Sequence, residues 1–219
     1  MPDTSSPIRM VCFDWGGVIL RICRSFPEGL KAAGLPLRDG IDDPQLYDVR
    51  KKISAEYQIG AIGDAAFFRA VSDAVRGLYT PDEIAAIHDA WLLEEYPGID
   101  AVMAELNALE EVETAILSNT NARHWARRLA DFPTCGMAQH QHASHLLGLA
   151  KPDPAIYAAF AESVGVEPSS VLFFDDLEEN IRAATSAGWR AEHIDHQSST
   201  ASQIRAHLAR YDVLDAAAI

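Results

Sequence analysis

Ser170-Val171-Leu172-Phe173-Phe174-Asp175-Asp176 is a short apolar, β-prone run that stops on two adjacent carboxylates. Nothing polar interrupts it between Val171 and Phe174, so it reads as a strand buried on both faces. Working outward, the pattern recurs. Ile8 to Asp14 (IRMVCFD) ends at Trp15-Gly16-Gly17, Val112 to Ser118 (VETAILS) ends at Asn119, and Arg190 to Ile194 is a weaker copy. Helical patterns lie between them. Asp153 followed by Pro154 pairs an N-cap with a first-turn proline and opens a helix through Tyr157, Phe160 and Val164. Glu178 to Ala187 is another, stopped by Gly188. Strands alternating with helices predict an α/β fold with a Rossmann-like parallel sheet, helices on both faces.

One block breaks that rhythm. From about Leu20 to Tyr96 no convincing strand is visible, only helical segments, one of them opened by the capping box Thr80-Pro81-Asp82-Glu83. This predicts an inserted all-helical cap subdomain at residues 20–96, with the Rossmann-like core formed by 1–19 and 97–219.

The 219 residues are 48% apolar, enough for a substantial core and incompatible with a disordered or low-complexity chain. Eighteen Lys and Arg against 32 Asp and Glu leave a net charge of −14, which repels phosphate backbones and anionic lipid. A nucleic-acid or membrane role is therefore not expected. Cys12, Cys23 and Cys135 are odd in number and lack metal-like spacing. They predict reduced thiols and a cytoplasmic setting. The opening MPDTSSPIR has no apolar stretch after a basic start, so no signal peptide is expected. The oligomeric state is not legible.

In open parallel sheets, ligands sit outside the carboxyl ends of the strands. Here the first strand delivers Asp14, the second Ser118, and the third Asp175 with Asp176, while Lys151 stands just before a helix start. A carboxylate nucleophile, a hydroxyl, an ammonium and an acidic pair are what phosphoryl transfer uses. Carboxylates also suit Mg²⁺, a hard cation that prefers oxygen.

In order, VCFDWGGVI, ILSNT, GLAKPDPAIY and VLFFDDLEENI resemble the motifs of the haloacid dehalogenase-like hydrolases, over the whole chain and including a helical cap. Details such as SNTNARHW look most like the subgroup containing glucose-1-phosphate phosphatases and related small-molecule phosphatases. The resemblance implies a Mg²⁺-dependent phosphatase of small phosphorylated metabolites. Asp14 would be nucleophile and metal ligand, Ser118 and Lys151 would hold the phosphate, and Asp176 would be the main acidic metal ligand. Asp175 would support the metal directly or through water, and the carbonyl of Gly16 would complete the set. Asn119 and Asn180 are expected partners of these groups, with Asn119 also a candidate phosphate contact. Trp15 is expected to border the site.

The sequence departs from the family pattern at Gly16, where most of its phosphatases carry a second aspartate as general acid. A 2-haloacid dehalogenase would not need that acid, because halide leaves without a proton. It would, however, have no use for a metal at Asp175-Asp176. A phosphate-binding regulatory protein with little turnover is a further alternative. His140 and His142 could share one face of an extended segment, but no further ligand completes a zinc site, so a polar edge strand is expected there. His124 is a candidate for proton transfer. Arg21, Arg24, Arg50, Lys51 and Tyr57 are unranked candidates for substrate selection within the cap.

Overall fold

The computed structural model describes residues 6–41 and 43–215. Residues 1–5, which begin the opening stretch read above, lie outside the described residues. The chain starts with β1 (Met10–Phe13) and β2 (Leu20–Ile22), followed by α1 (Phe26–Ala32), α2 (Pro44–Gln58), α3 (Asp64–Ala74) and α4 (Pro81–Asp89). Next come β3 (Leu92–Glu95), α5 (Ile99–Asn107), β4 (Glu113–Ser118), α6 (Ala122–Arg127), α7 (Pro133–Met137) and β5 (His140–Ala143). Then follow α8 (Ser144–Leu147), α9 (Pro154–Val164), β6 (Val171–Asp175), α10 (Glu178–Ser186), β7 (Arg190–His193) and α11 (Thr200–Arg210).

Five strands form a parallel sheet in the order β5-β4-β1-β6-β7. Because side chains alternate along a strand, the sheet feeds two cores. Val11, Phe13, Ile116, Leu172 and Phe174 pack into one, and Met10, Cys12, Leu117, Val171 and Phe173 into the other. That double burial is why these strands read as unbroken apolar runs. The edge strand β5 is the polar segment His140-Gln141-His142-Ala143, as expected.

The chain order places β1 at the centre, with β4 on one side and β6 on the other, so the strand order reverses about β1. A crevice opens at such a reversal beyond the carboxyl ends of the strands.

The insertion between β1 and β4 holds α1 to α4 around its own apolar cluster, which includes Leu30, Tyr57, Phe67, Phe68, Val71, Tyr79 and Ile84. Its start signals act as the sequence suggests. Thr80 and Glu83 form a reciprocal capping box at α4, and Asp43 caps α2 ahead of Pro44. One expectation is corrected here. The stretch 20–96 is not free of strands, because β2 and β3 form an antiparallel ribbon pairing Leu20 with Glu95 and Ile22 with Leu92. Strands of three and four residues carry too little pattern to be seen in sequence, and their partner lies some seventy residues away along the chain.

Candidate active site

β1, β4 and β6 run side by side, so their next residues converge. Asp14 follows β1, Ser118 closes β4, and Asp175 closes β6. All three are buried, as are Lys151 and Asp176. Charged groups tolerate such burial only when paired or hydrogen-bonded.

Lys151 supplies the pairing. Its side chain is fully enclosed, with Nζ 3.0 Å from Asp14 Oδ1 and 2.7 Å from Asp175 Oδ2. Burial alone would lower the ammonium's pKa, but Asp14 and Asp175 more than offset it and hold the group charged above the ordinary lysine range. Asn119 fixes the lysine's backbone from both sides: its Nδ2 donates to the Lys151 carbonyl at 2.7 Å, and the Lys151 N–H donates to its Oδ1 at 2.8 Å. The side chain of Asn119 thus positions Lys151.

Asp175 is saturated. Its Oδ1 accepts from the Leu177 N–H at 2.8 Å, and Asn180 Nδ2 lies 3.0 Å from both carboxylate oxygens. With Lys151 on Oδ2, its lone pairs hold the lysine and the turn into α10. Asp176, the next residue, points elsewhere: its Oδ2 accepts from Arg24 Nη1 at 2.6 Å, with His196 Nδ1 3.8 Å away. Asp14, Asp175 and Asp176 nevertheless offer carboxylate oxygens that all lie within 4.8 Å of one another, an all-oxygen set that fits a divalent cation. It is the one such cluster among the described residues. His140 instead contacts Glu113 at 2.5 Å and His142 packs on Phe160.

Burial pushes the Asp14 carboxyl up to about 7, against the pull of Lys151 and with Asp175 and Asp176 adding to the rise. Its Oδ1 accepts the Trp15 N–H at 2.7 Å. Trp15 itself lines the cavity above the site but also belongs to the core, 2% exposed and edge-on to Trp125 and Phe132. Its ring therefore lies at the edge of the cavity and in the core at once.

The two glycines differ. Gly17 has φ +95°, and a Cβ there would lie 2.5 Å from Arg24 Nη2 and Asp176, so no side chain fits. Gly16 is outside the left-handed region, and a Cβ would meet Ile22 Cδ1 at 3.1 Å. The position where the resemblance leads one to expect an acid is thus covered by an apolar side chain.

His124 does not face the reacting groups as a free base. Its Nε2 lies 2.7 Å from the His88 carbonyl, and its Nδ1 is 3.4 Å from Asn121 Nδ2. Of the unranked cations, Arg24, Arg50 and Lys51 line the cavity between the helical insertion and the sheet, as does Tyr57, whereas Arg21 pairs with Glu94 in a separate cleft. Sequence reasoning missed Ile22 and His88, whose roles arise only from pairing across the insertion.

A profile described as haloacid dehalogenase-like hydrolase matches residues 8–188. Phosphatase MT3486 of Mycobacterium tuberculosis is 40% identical over 120 residues, covering 54% of this chain and 55% of that protein. The chain thus spans about half the length of this curated relative, and 19% of a mouse acyl-CoA dehydrogenase family member 10, at 22% identity over 91% of this chain. Among solved structures, the enzyme BT-2542 of Bacteroides thetaiotaomicron superposes with TM-score 0.76 at 22% identity, covering 91% of this chain and 99% of that one. An L-2-haloacid dehalogenase of Xanthobacter autotrophicus superposes with TM-score 0.63 at 21% identity, covering 94% and 84%. Among the described residues no helix is long and apolar enough to cross a membrane. With the family profile covering most of its length, the chain belongs to the haloacid dehalogenase-like hydrolases.

Proposed function

We propose that this chain is a Mg²⁺-dependent phosphatase of small phosphorylated metabolites, cytoplasmic, acting through an aspartyl-phosphate on Asp14. Residues 20–96 would be its cap and 1–19 with 97–219 its core. The observation that carries the reading is the buried Asp14–Lys151 pair at 3.0 Å, set within the carboxylate cluster of Asp14, Asp175 and Asp176. The similarity to phosphatase MT3486 supports it, as does a BT-2542 structure in complex with magnesium and inorganic phosphate. The motif details point within the family to glucose-1-phosphate phosphatases and their relatives.

Asp14, Asp176 and the Gly16 carbonyl would hold the metal, with Asp175 behind them. Mg²⁺ there would neutralise charge on the phosphoryl oxygens. A carboxylate oxygen of Asp14 attacks phosphorus, the bond to the ester oxygen breaks, and water then cleaves the acyl phosphate to return the carboxylate and free phosphate. The Lys151 ammonium and Ser118 hydroxyl hold the equatorial oxygens. With Gly16 in place of an acid, the departing oxygen takes its proton from water or substrate. Esters with acidic leaving groups should therefore turn over fastest.

Activity on a phosphorylated-metabolite panel should vanish with chelator and return with Mg²⁺. Asp14→Asn should stay folded and lose turnover, and beryllofluoride with Mg²⁺ should inhibit. Full turnover in excess EDTA overturns the reading. Gly16 favours a second one, a 2-haloacid dehalogenase. Chloride release from 2-chloropropionate in EDTA would establish it, against the repulsion that Asp175 and Asp176 impose on a carboxylate substrate.

A further inference from the structure

The cavity of about 440 Å³ between the helical insertion and the carboxyl ends of the strands is of ligand size. Two histidines meet in its lining. His88 comes from α4 of the insertion and His124 from α6 of the sheet domain, with ring centroids 3.8 Å apart. The phosphoryl chemistry uses neither. What the pair offers a ligand depends on which ring nitrogens carry protons.

Asn121 decides that. It caps α6, and its Oδ1 accepts from the His124 backbone N–H at 3.0 Å. A backbone N–H can only donate, so the orientation of the amide is fixed. Its Nδ2 then faces His124 Nδ1 at 3.4 Å and donates to it. The His124 ring proton is left on Nε2, where the His88 carbonyl accepts it at 2.7 Å. The same Asn121 Oδ1 lies 3.3 Å from His88 Nε2, and an oxygen acceptor requires the proton on that nitrogen too. Burial takes His88 to about 4, so the ring is uncharged at neutral pH. A neutral imidazole has one N–H, which leaves His88 Nδ1 as a bare lone pair.

This nitrogen takes no hydrogen bond among the described residues and is not sealed within the interior. Because His88 lines the cavity, Nδ1 is the acceptor it presents there. Its one N–H is held by Asn121, so His88 does not stand in for the acid missing at Gly16. The rings of Tyr57, Phe67 and Phe68 lie 5.5, 5.4 and 5.6 Å from the His88 ring. A charged partner would have to shed its water among them, which favours an uncharged donor. Asn121 is three residues beyond Ser118, at most ~10 Å of chain, so the acceptor stands beside the strand end that would hold the phosphoryl group.

We propose that His88 reads the alcohol part of the substrate, its Nδ1 accepting a hydrogen bond from a hydroxyl there. Asn121 and His124 are positioning residues that hold the tautomer. The substrate is then a phosphate ester whose alcohol part carries a further hydroxyl. That substrate class rests on the phosphatase reading, whereas the acceptor itself does not.

The test sets 2-, 3- and 4-hydroxyphenyl phosphate against the matching methoxyphenyl phosphates, which keep the oxygen and lose the donor. In Mg²⁺ the wild type should favour at least one hydroxyl ester over its methyl ether by roughly tenfold in kcat/KM, through KM. His88→Gln, whose amide can replace Nε2 toward Asn121 but not Nδ1, should bring that ratio to about one. His88→Asn, whose amide reaches the Nδ1 position, should retain part of it. Because the ratio compares two substrates on one protein, general damage cancels. Nitrogen NMR of the histidine rings is read separately, the His88 signals being those lost in His88→Gln. Nε2 should carry the proton, and the Nδ1 signal should move with hydroxybenzylphosphonates, which are not hydrolysed, but not with their methoxy counterparts. That shift without turnover of any ester would uphold the acceptor and overturn the phosphatase reading. A ratio near one for all three isomers, a ratio unchanged in His88→Gln, an unmoved Nδ1 signal or a proton on Nδ1 overturns the proposal.

Discussion

Acidification should weaken the seam between the helical insertion and the sheet domain through two stacked histidines. His88 on α4 and His124 on α6 lie ring on ring, centroids 3.8 Å apart and planes 7° off parallel. Tyr57, Phe67 and Phe68 surround the His88 ring. Burial lowers His88 from 6.5 to about 4, with Arg123 and Arg127 adding to it, while the hydrogen bond with Asn121 and the nearby Asp89 oppose it. Burial, then the neighbouring His88, takes His124 to about 3. Both folded values lie below the unfolded one, so the unfolded chain binds more protons below pH 6.5 and stability falls as pH falls. At about 1.4 kcal/mol per pH unit, His88 alone loses roughly 2 kcal/mol between pH 6.5 and 5, with His124 adding a similar amount. Against a typical stability of about 5–15 kcal/mol that is a visible fraction. Asp14, raised to about 7, works the other way over the same range, so the measurement is a difference. Urea unfolding of wild type and His88→Gln at pH 7, 6 and 5 should show the wild type losing about 2 kcal/mol more than the variant. A difference that stays constant with pH, or ring resonances of His88 titrating near 6.5, would refute the reasoning.

Three further outcomes follow from the site. Arg24→Gln removes the cation 2.6 Å from Asp176 Oδ2, so Mg²⁺ affinity measured by calorimetry without substrate should rise, and an unchanged Kd would count against Asp176 as a ligand. Gly17→Ala places a Cβ 2.5 Å from Asp176 at φ +95° and should cost about 2 kcal/mol or more in thermal unfolding. Gly16→Asp alone meets Ile22 at 3.1 Å and should gain little, whereas Gly16→Asp with Ile22→Ala should flatten the dependence of log rate on leaving-group pKa, with up to about 10²-fold gained on alkyl phosphates.

Much of this arrangement was legible because buried parallel strands are unmistakable when they end on charge. Asp14, Ser118 and Asp175 each stand where an apolar run stops, and the parallel register then brings them together. What stayed hidden has one physical cause, contacts between residues distant in sequence. β2 and β3 are too short to announce themselves, and each exists through the other. The spacing of Tyr47, Arg50, Lys51 and Ser54 was present in the sequence, but no local signal says that this face of α2 borders the cavity. Nor could sequence tell which of two neighbouring glycines takes positive φ.

Asp175 and Asp176 show how one strand end divides labour. The two adjacent carboxylates take different side-chain partners. Asp175 turns toward Lys151 and Asn180, which with the Leu177 N–H occupy both its oxygens. Asp176 turns toward Arg24, a side chain delivered by the segment that follows β2. The charge on Asp175 is therefore offset by Lys151 within the sheet domain, while the charge on Asp176 is offset by Arg24 from the side of the insertion. A cation arriving between Asp14 and Asp176 meets a carboxylate whose present partner belongs to the β2–α1 segment, not to the sheet. A metal held by Oδ2 of Asp176 would compete with Arg24 for that oxygen, so its binding and the position of Arg24 would be coupled. A side chain at position 17 would intrude on the same pair, its Cβ 2.5 Å from both Arg24 Nη2 and Asp176 at φ +95°.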